Sequence, residues 1–194
     1  ESYQQIFTEM INSWRVEWND DFPFYYVQIA PYKYGRPFEG GVLRDQQRRT
    51  LELKNTGMAM TSDICTVEDI HPQNKQDVGL RLANIALKKH YNKLQGQEVY
   101  GPLFDSSEII GDQIQIKFSH DMGLKSDGKP IELFEISNEK GEWFTAKAKL
   151  KNGIVIVSSK EVKIPKSVRY AWKSTDIGNL YNEVGLPAST FTSE

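Results

Sequence analysis

Between Thr61 and Lys75 the chain gathers three acids, a histidine and its one cysteine, in the stretch Thr61-Ser62-Asp63-Ile64-Cys65-Thr66-Val67-Glu68-Asp69-Ile70-His71-Pro72-Gln73-Asn74-Lys75. Histidine is the side chain that exchanges protons near neutral pH, and a carboxylate beside it can fix its tautomer and stabilise the charge it gains. Pro72 suits the first position of a helix, where its missing N–H is not needed. His71 is therefore predicted to sit just outside a helix N-terminus, whose positive end disfavours the imidazolium. A neutral ring can serve as a general base. Three carboxylates could orient it: Asp69, Glu68 and Asp63. Cys65 could in principle pair with His71 as a nucleophile, but a lone cysteine flanked by apolar residues reads as a packing residue. A metal site is not expected, because no second histidine lies nearby: His90 falls at the far end of the following helix and His120 in the other half of the chain. No cofactor motif is present.

The elements that would position this stretch follow from hydrophobic spacing. Residues 2–18 read as an amphipathic helix, with Tyr3, Phe7, Met10, Ile11, Trp14 and Trp18 at three-to-four spacing. Residues 24–30 and 58–65 form nearly continuous apolar runs, the pattern of strands buried on both faces of a parallel sheet. Residues 42–55 read as a second helix, with Leu43, Thr50 and Leu51 turned inward and Gly57 as its cap. A third is expected from Pro72 to about Tyr91, along Val78, Leu82, Ile85 and Ala86. Helix, strand, helix, strand, helix is an α/β order. In such sheets ligands bind beyond the carboxyl ends of the strands. Gln28 and the Pro31–Tyr34 loop, with Tyr32 and Tyr34, fall there.

Beyond Gly96 the pattern changes to alternation with period two, in Ile114–Phe118, Ile131–Ile136, Phe144–Leu150 and Ile154–Val157. Asp127-Gly128, Lys140-Gly141 and Asn152-Gly153 separate these runs, and the last predicts a type I′ hairpin. Residues 96–194 therefore read as an antiparallel β-sandwich, with the tail from Asn179 to Glu194 folding back on the first half. The expected division is 1–95 and 96–194.

Charge is balanced in both parts, with 12 basic and 12 acidic residues through position 95 and 12 and 14 beyond it. Neither half has the basic excess that a nucleic acid or an anionic membrane would demand as main partner. No apolar run approaches the roughly 18 residues of a membrane span. A single cysteine cannot form an internal disulfide, so the sequence says nothing about redox compartment.

Several blocks together resemble one family. They are Trp14-Arg15, Asp21-Phe22-Pro23-Phe24 with Val27-Gln28-Ile29-Ala30, Leu43-Arg44-Asp45-Gln46-Gln47, Asp69-Ile70-His71-Pro72-Gln73-Asn74-Lys75, Val168-Arg169-Tyr170-Ala171-Trp172, and Asn179-Leu180-Tyr181-Asn182 through Gly185-Leu186-Pro187-Ala188. In this order they are similar to the C-terminal portion of sialate O-acetylesterases, carbohydrate esterases of the SGNH-hydrolase superfamily.

The resemblance implies the last part of a flavodoxin-like α/β hydrolase domain over 1–95, followed by a β-sandwich over 96–194. It implies removal of O-acetyl groups from sialic acid or another acetylated sugar. His71 matches the family's catalytic base and Asp69 lies within the same block. Arg44 and Gln47 fall on the Leu-Arg-x-x-Gln block and, with Gln28 and Tyr32, are candidate sugar contacts. The family's serine stands in a Gly-Gln-Ser-Asn block, and no serine here has that setting or that of a Gly-x-Ser-x-Gly elbow. The nucleophile is therefore expected from an upstream segment, truncated or separate, or from a second copy, and the chain alone is expected to be inactive. The family also implies an extracellular, periplasmic or lysosomal setting. The rival reading is a non-catalytic carbohydrate-binding or structural piece built on 96–194.

Overall fold

The computed structural model describes residues 2–194. Helix α1 (Tyr3–Trp18) begins with a reciprocal cap. Ser2 Oγ accepts the Gln5 N–H at 3.3 Å, and the Gln5 side chain accepts the Ser2 N–H at 2.8 Å. It ends at Asn19, which takes the left-handed conformation at φ 50°. Strand β1 (Phe24–Val27) follows, then α2 (Glu39–Arg49), a 3-10 turn (Thr50–Glu52), β2 (Thr56–Ala59) and α3 (Lys75–Lys89). Strands β1 and β2 pair in parallel, from Phe24 opposite Thr56 to Val27 opposite Ala59.

The remainder is strand: β3 (Leu103–Ile110), β4 (Gln113–Ser119), β5 (Lys125–Ser126), β6 (Phe134–Ser137), β7 (Trp143–Lys151), β8 (Ile154–Ser158), β9 (Val168–Tyr170), β10 (Leu180–Tyr181) and β11 (Phe191–Thr192). Seven of these form one antiparallel sheet in the order β11-β9-β6-β7-β8-β4-β3. The sheet curls until its two edges meet: Phe104 of β3 stacks on Phe191 of β11 with ring centroids 4.5 Å apart. Ile114, Ile116 and Phe118 point into the enclosed core with Val155, Val157, Phe134 and Tyr170. At the predicted hairpin, Asn152 and Gly153 both take positive φ, 51° and 77°, as a type I′ turn requires.

The expected fold class is therefore corrected. The chain is mostly β, dominated by a nearly closed antiparallel sheet, and is not built on a flavodoxin-like, SGNH-type α/β sheet. Of the apolar runs, 24–30 pairs only over Phe24–Val27, and 58–65 contributes only Met58 and Ala59 to a strand that begins earlier, at Thr56; side chains take over the backbone groups that follow. The Phe24 and Gln28 N–H groups point to β2, bonding Asn55 and Ala59 carbonyls, so Val27 and Ile29 face the opposite edge. There the Gln47 amide replaces a strand: its Oε1 accepts the Ile29 N–H at 2.8 Å and its Nε2 reaches the Val27 carbonyl at 3.4 Å. The outer edge of β2 is closed by Arg81 on the Met60 carbonyl and Lys89 on the Thr56 carbonyl. Gly57 lies inside β2, and Asn55 (φ 57°) is the left-handed residue before it.

Helix α2 starts three residues earlier than predicted, and its buried face is polar. Gly40, Gly41, Arg44, Asp45 and Gln47 are buried, whereas Leu43 is only partly covered. A Cβ on Gly41 would lie 1.8 Å from the Trp172 carbonyl oxygen, so the helix touches the 171–174 loop backbone to backbone.

Candidate active site and its supporting network

His71 stands on the loop that joins β2 to α3. The loop is tied down at its start by Thr61, whose hydroxyl donates to the Gln28 carbonyl at 3.1 Å. It is pinched in the middle by a bridge between Thr66 and Asp69. Helix α3 begins at Lys75, not Pro72, because Asn74 is its cap and accepts the Asp77 N–H at 3.1 Å. His71 is thus separated from the helix by three residues, and the dipole, which acts within about one turn, is not what sets its environment.

What sets it is Asp69. One carboxylate oxygen accepts the His71 backbone N–H at 2.8 Å and lies 3.3 Å from the ring Nδ1. The other accepts from Gln73 Nε2 at 3.0 Å. The backbone N–H of His71, with the Gln73 and His71 side chains adding to it, holds the Asp69 carboxyl below the usual carboxylate range against the opposing effect of desolvation. A carboxylate at Nδ1 favours the tautomer with its proton there and leaves Nε2 as acceptor. The ring is 80% exposed, and among the described residues no hydroxyl or thiol hydrogen-bonds to it.

The two competing acids are engaged elsewhere. Asp63 forms a two-pronged pair with Arg81, at 2.7 and 2.6 Å. Glu68 takes the Lys33 ammonium at 2.6 and 2.7 Å, tying the Pro31–Tyr34 loop to the histidine loop. Cys65 is half-buried and donates to the Ser62 carbonyl, and burial, with Asp63 adding to it, pushes its thiol pKa up. It is a poor thiolate. Among the described residues no three side chains of the His, Cys, Asp or Glu type are gathered as a metal site.

The residues expected to touch sugar divide in two. Tyr32 is half-exposed on the loop that Lys33 ties to Glu68, and its ring meets Tyr34 edge-on at 5.4 Å. Gln28, Arg44 and Gln47 are interior. Gln28 donates to the Arg44 carbonyl at 3.0 Å and to Ser189 Oγ at 2.8 Å. Arg44, 1% exposed, donates to Thr190 Oγ1 and to the carbonyls of Ala171, Lys173 and Ser174, at 2.8–3.2 Å. Burial lowers its pKa to about 10, with Asp176 opposing. Gln47 closes the edge of β1. The tail therefore does fold back on the first part of the chain, through Ser189 and Thr190, and these two residues carried no sequence signal. Arg169 stacks 4.2 Å from Trp143 and pairs with Glu135 at 2.8 Å.

The chain resembles a solved structure, that of a carbohydrate acetylesterase from Xanthomonas citri, with a TM-score of 0.92 and 34% identity. The likeness covers 99% of this chain and 46% of that one, so the chain spans about half the length of the structure it matches. No family model and no curated protein matches the sequence.

Proposed function

We propose that this chain is the histidine-bearing part of a carbohydrate O-acetylesterase that acts by a serine–histidine–aspartate mechanism. One observation carries the reading: an exposed imidazole with Asp69 at Nδ1 and a free Nε2, in a chain 34% identical to part of a carbohydrate acetylesterase. The serine comes from a polypeptide segment outside these 194 residues, or from a second copy. Support for that is the lack of any hydroxyl bonded to the ring among the described residues, and the 46% share of the matched structure.

In this mechanism His71 Nε2 removes the proton of the attacking serine hydroxyl as its oxygen bonds to the acetyl carbon. Asp69 stabilises the imidazolium without taking its proton. The imidazolium then protonates the departing sugar oxygen as the ester bond breaks, leaving an acetyl-enzyme. A water deprotonated by the same nitrogen attacks the acetyl-enzyme. Acetate leaves, and the serine recovers its proton from His71. Sialic acid, a sugar of the outer cell surface, is one substrate consistent with the resemblance, as are acetylated plant polysaccharides. Tyr32 lies on the loop best placed to line the sugar. An extracellular, periplasmic or lysosomal setting goes with this reading.

The test is acetate release from a chromogenic acetate and from acetylated xylan, by the chain alone and by the enzyme assembled with its serine-bearing segment. The expected result is turnover only in the assembly and its loss in His71→Ala. Turnover by the 194-residue chain alone, abolished by His71→Ala, would overturn the external serine.

A further inference from the structure

The antiparallel sheet has a gap. Strand β6 pairs with the first four residues of β7, from Phe134 opposite Ala146 to Ser137 opposite Trp143. From Lys147 onward β7 keeps only β8 as a neighbour. The chain before β6 would continue the pairing, but Leu133 takes φ 65° and turns it out of the sheet. A bulky non-glycine residue rarely adopts this conformation, and where one does the surroundings must enforce it. Here a second left-handed residue does so: Ala171 (φ 48°) donates its N–H to the Leu133 carbonyl at 3.0 Å. The Ala171 carbonyl is in turn held by the buried guanidinium of Arg44 at 3.1 Å.

The gap is a cavity of about 560 Å³, a size within the usual range for small-ligand sites. Its floor is made of the small side chains Ala146 and Ala148, and Ile131 and Leu133 form one apolar wall. Three carboxylates and three lysines surround it in equal number, so the site selects no net charge. Glu135 is neutralised by Arg169 at 2.8 Å. Asp176 is not: one oxygen accepts the Lys173 N–H at 2.9 Å, and the other has no donor among the described residues. Burial raises the Asp176 carboxyl, as expected of a carboxylate short of donors. An apolar floor beside an acceptor with spare capacity suits a ligand that presents C–H groups on one face and hydroxyl donors at its edge.

We propose that this gap in the sheet is a carbohydrate-binding subsite, separate from His71, that takes an uncharged sugar residue of the polysaccharide. The carbohydrate class rests on the esterase reading given above, whereas the site itself rests on the gap, its lining and Asp176. The sugar's apolar face packs on Ala146 and Ala148, and a hydroxyl donates to the free oxygen of Asp176.

Calorimetric titration of the 194-residue chain with xylohexaose and cellohexaose tests this. Binding of at least one is expected, and Ala148→Trp, which fills the floor, is expected to weaken it at least tenfold. Asp176→Asn is expected to weaken it to a similar extent. Because Asp176→Asn can also loosen the 173–176 turn, Ala148→Trp is decisive, with circular dichroism to confirm that it folds. His71→Ala should leave the affinity unchanged. The proposal is overturned by no binding of either sugar, by binding that survives Ala148→Trp, or by binding lost in His71→Ala, which would place the sugar at the esterase loop. Binding is read without turnover, so a failure of the esterase reading and a failure of this one are distinguishable.

Discussion

Arg44 is where a sugar-contact reading and a structural reading predict opposite things. In Arg44→Ala four hydrogen bonds disappear, but their acceptors are not equally stranded. The Ser174 carbonyl keeps the Tyr32 N–H at 3.0 Å, and the Ala171 carbonyl keeps the Thr190 hydroxyl at 3.2 Å. The Lys173 carbonyl keeps the Asp176 N–H at 3.1 Å, so only the Thr190 hydroxyl oxygen loses its donor. The three carbonyls, and the Thr190 oxygen that still donates its own proton, cost about 0.5–1.5 kcal/mol each. The empty side-chain volume adds to this, and relief from burying a charge subtracts. A net loss of about 3–5 kcal/mol follows, the range for breaking one side of a buried charged network. With a urea slope of about 2 kcal/mol per M, the unfolding midpoint should fall by about 2 M. Arg44→Lys should fall between, since one ammonium cannot reach four acceptors spread over a planar fork. A loss below about 1 kcal/mol in Arg44→Ala, together with weakened sugar binding, would refute the reasoning and return Arg44 to the substrate.

In the assembled enzyme, His71→Ala should lower kcat by about a thousandfold or more, Asp69→Asn by about a hundredfold to ten-thousandfold, and Glu68→Gln by less than about threefold; a larger effect of Glu68→Gln than of Asp69→Asn would reverse their roles. Gly41→Ala should destabilise by about 3 kcal/mol through overpacking, because its Cβ would meet the Trp172 carbonyl at 1.8 Å. Gly79→Ala, in α3 with nothing within 4 Å, should stabilise by about 0.5–1 kcal/mol in the same melts. Burial pulls the Glu98 carboxyl up, but the Tyr100 and Val99 N–H groups and His120 outweigh it and hold it below its ordinary 4.5. A depressed carboxyl stabilises the fold above its ordinary value, and that contribution is lost as pH falls through the folded value. Glu98→Gln should therefore be less stable than the parent at pH 6–7 and converge with it as the pH falls below the ordinary 4.5 and through the depressed folded value; a gap that persists into strong acid would show that the carboxylate charge is not responsible.

What the sequence made legible is local. The Asn152-Gly153 hairpin needs only two residues to specify it, and the alternation of Ile114, Ile116 and Phe118 exposes one core face directly. The cap on α3 was also written in the sequence, as Asn74 three residues before Asp77, but Pro72 offered a competing start. The buried face of α2 was not legible. Arg44, Asp45 and Gln47 look like a solvated surface until their partners are known, and Thr190 lies 146 positions from Arg44. The edges of β1 and β2 are hidden for the same reason: continuous apolar runs suggest strands in a wide sheet, and no local pattern says that Gln47, Arg81 and Lys89 will end it. At the candidate site, spacing brought Asp63, Glu68 and Asp69 together near His71. Only the distant Arg81 and Lys33 distinguish them, by taking the first two.

The bond from Arg44 to Thr190 also sets a schedule. A ribosome makes the guanidinium 146 residues before its hydroxyl acceptor, which at about 5–20 residues per second is a delay of roughly 7–30 s. During that interval α2 has a cation to bury and no strand end to receive it. Gln28 waits still longer for Ser189, across 161 positions. The β1–β2 pair and its helices therefore cannot close fully until Ser189 and Thr190 have been made. They close when the last strand, Phe191–Thr192, joins β9 and brings Ser189 and Thr190 with it. Chains that stall or are cleaved before Ser189 should leave that half open, with its apolar strands offered to chaperones and proteases.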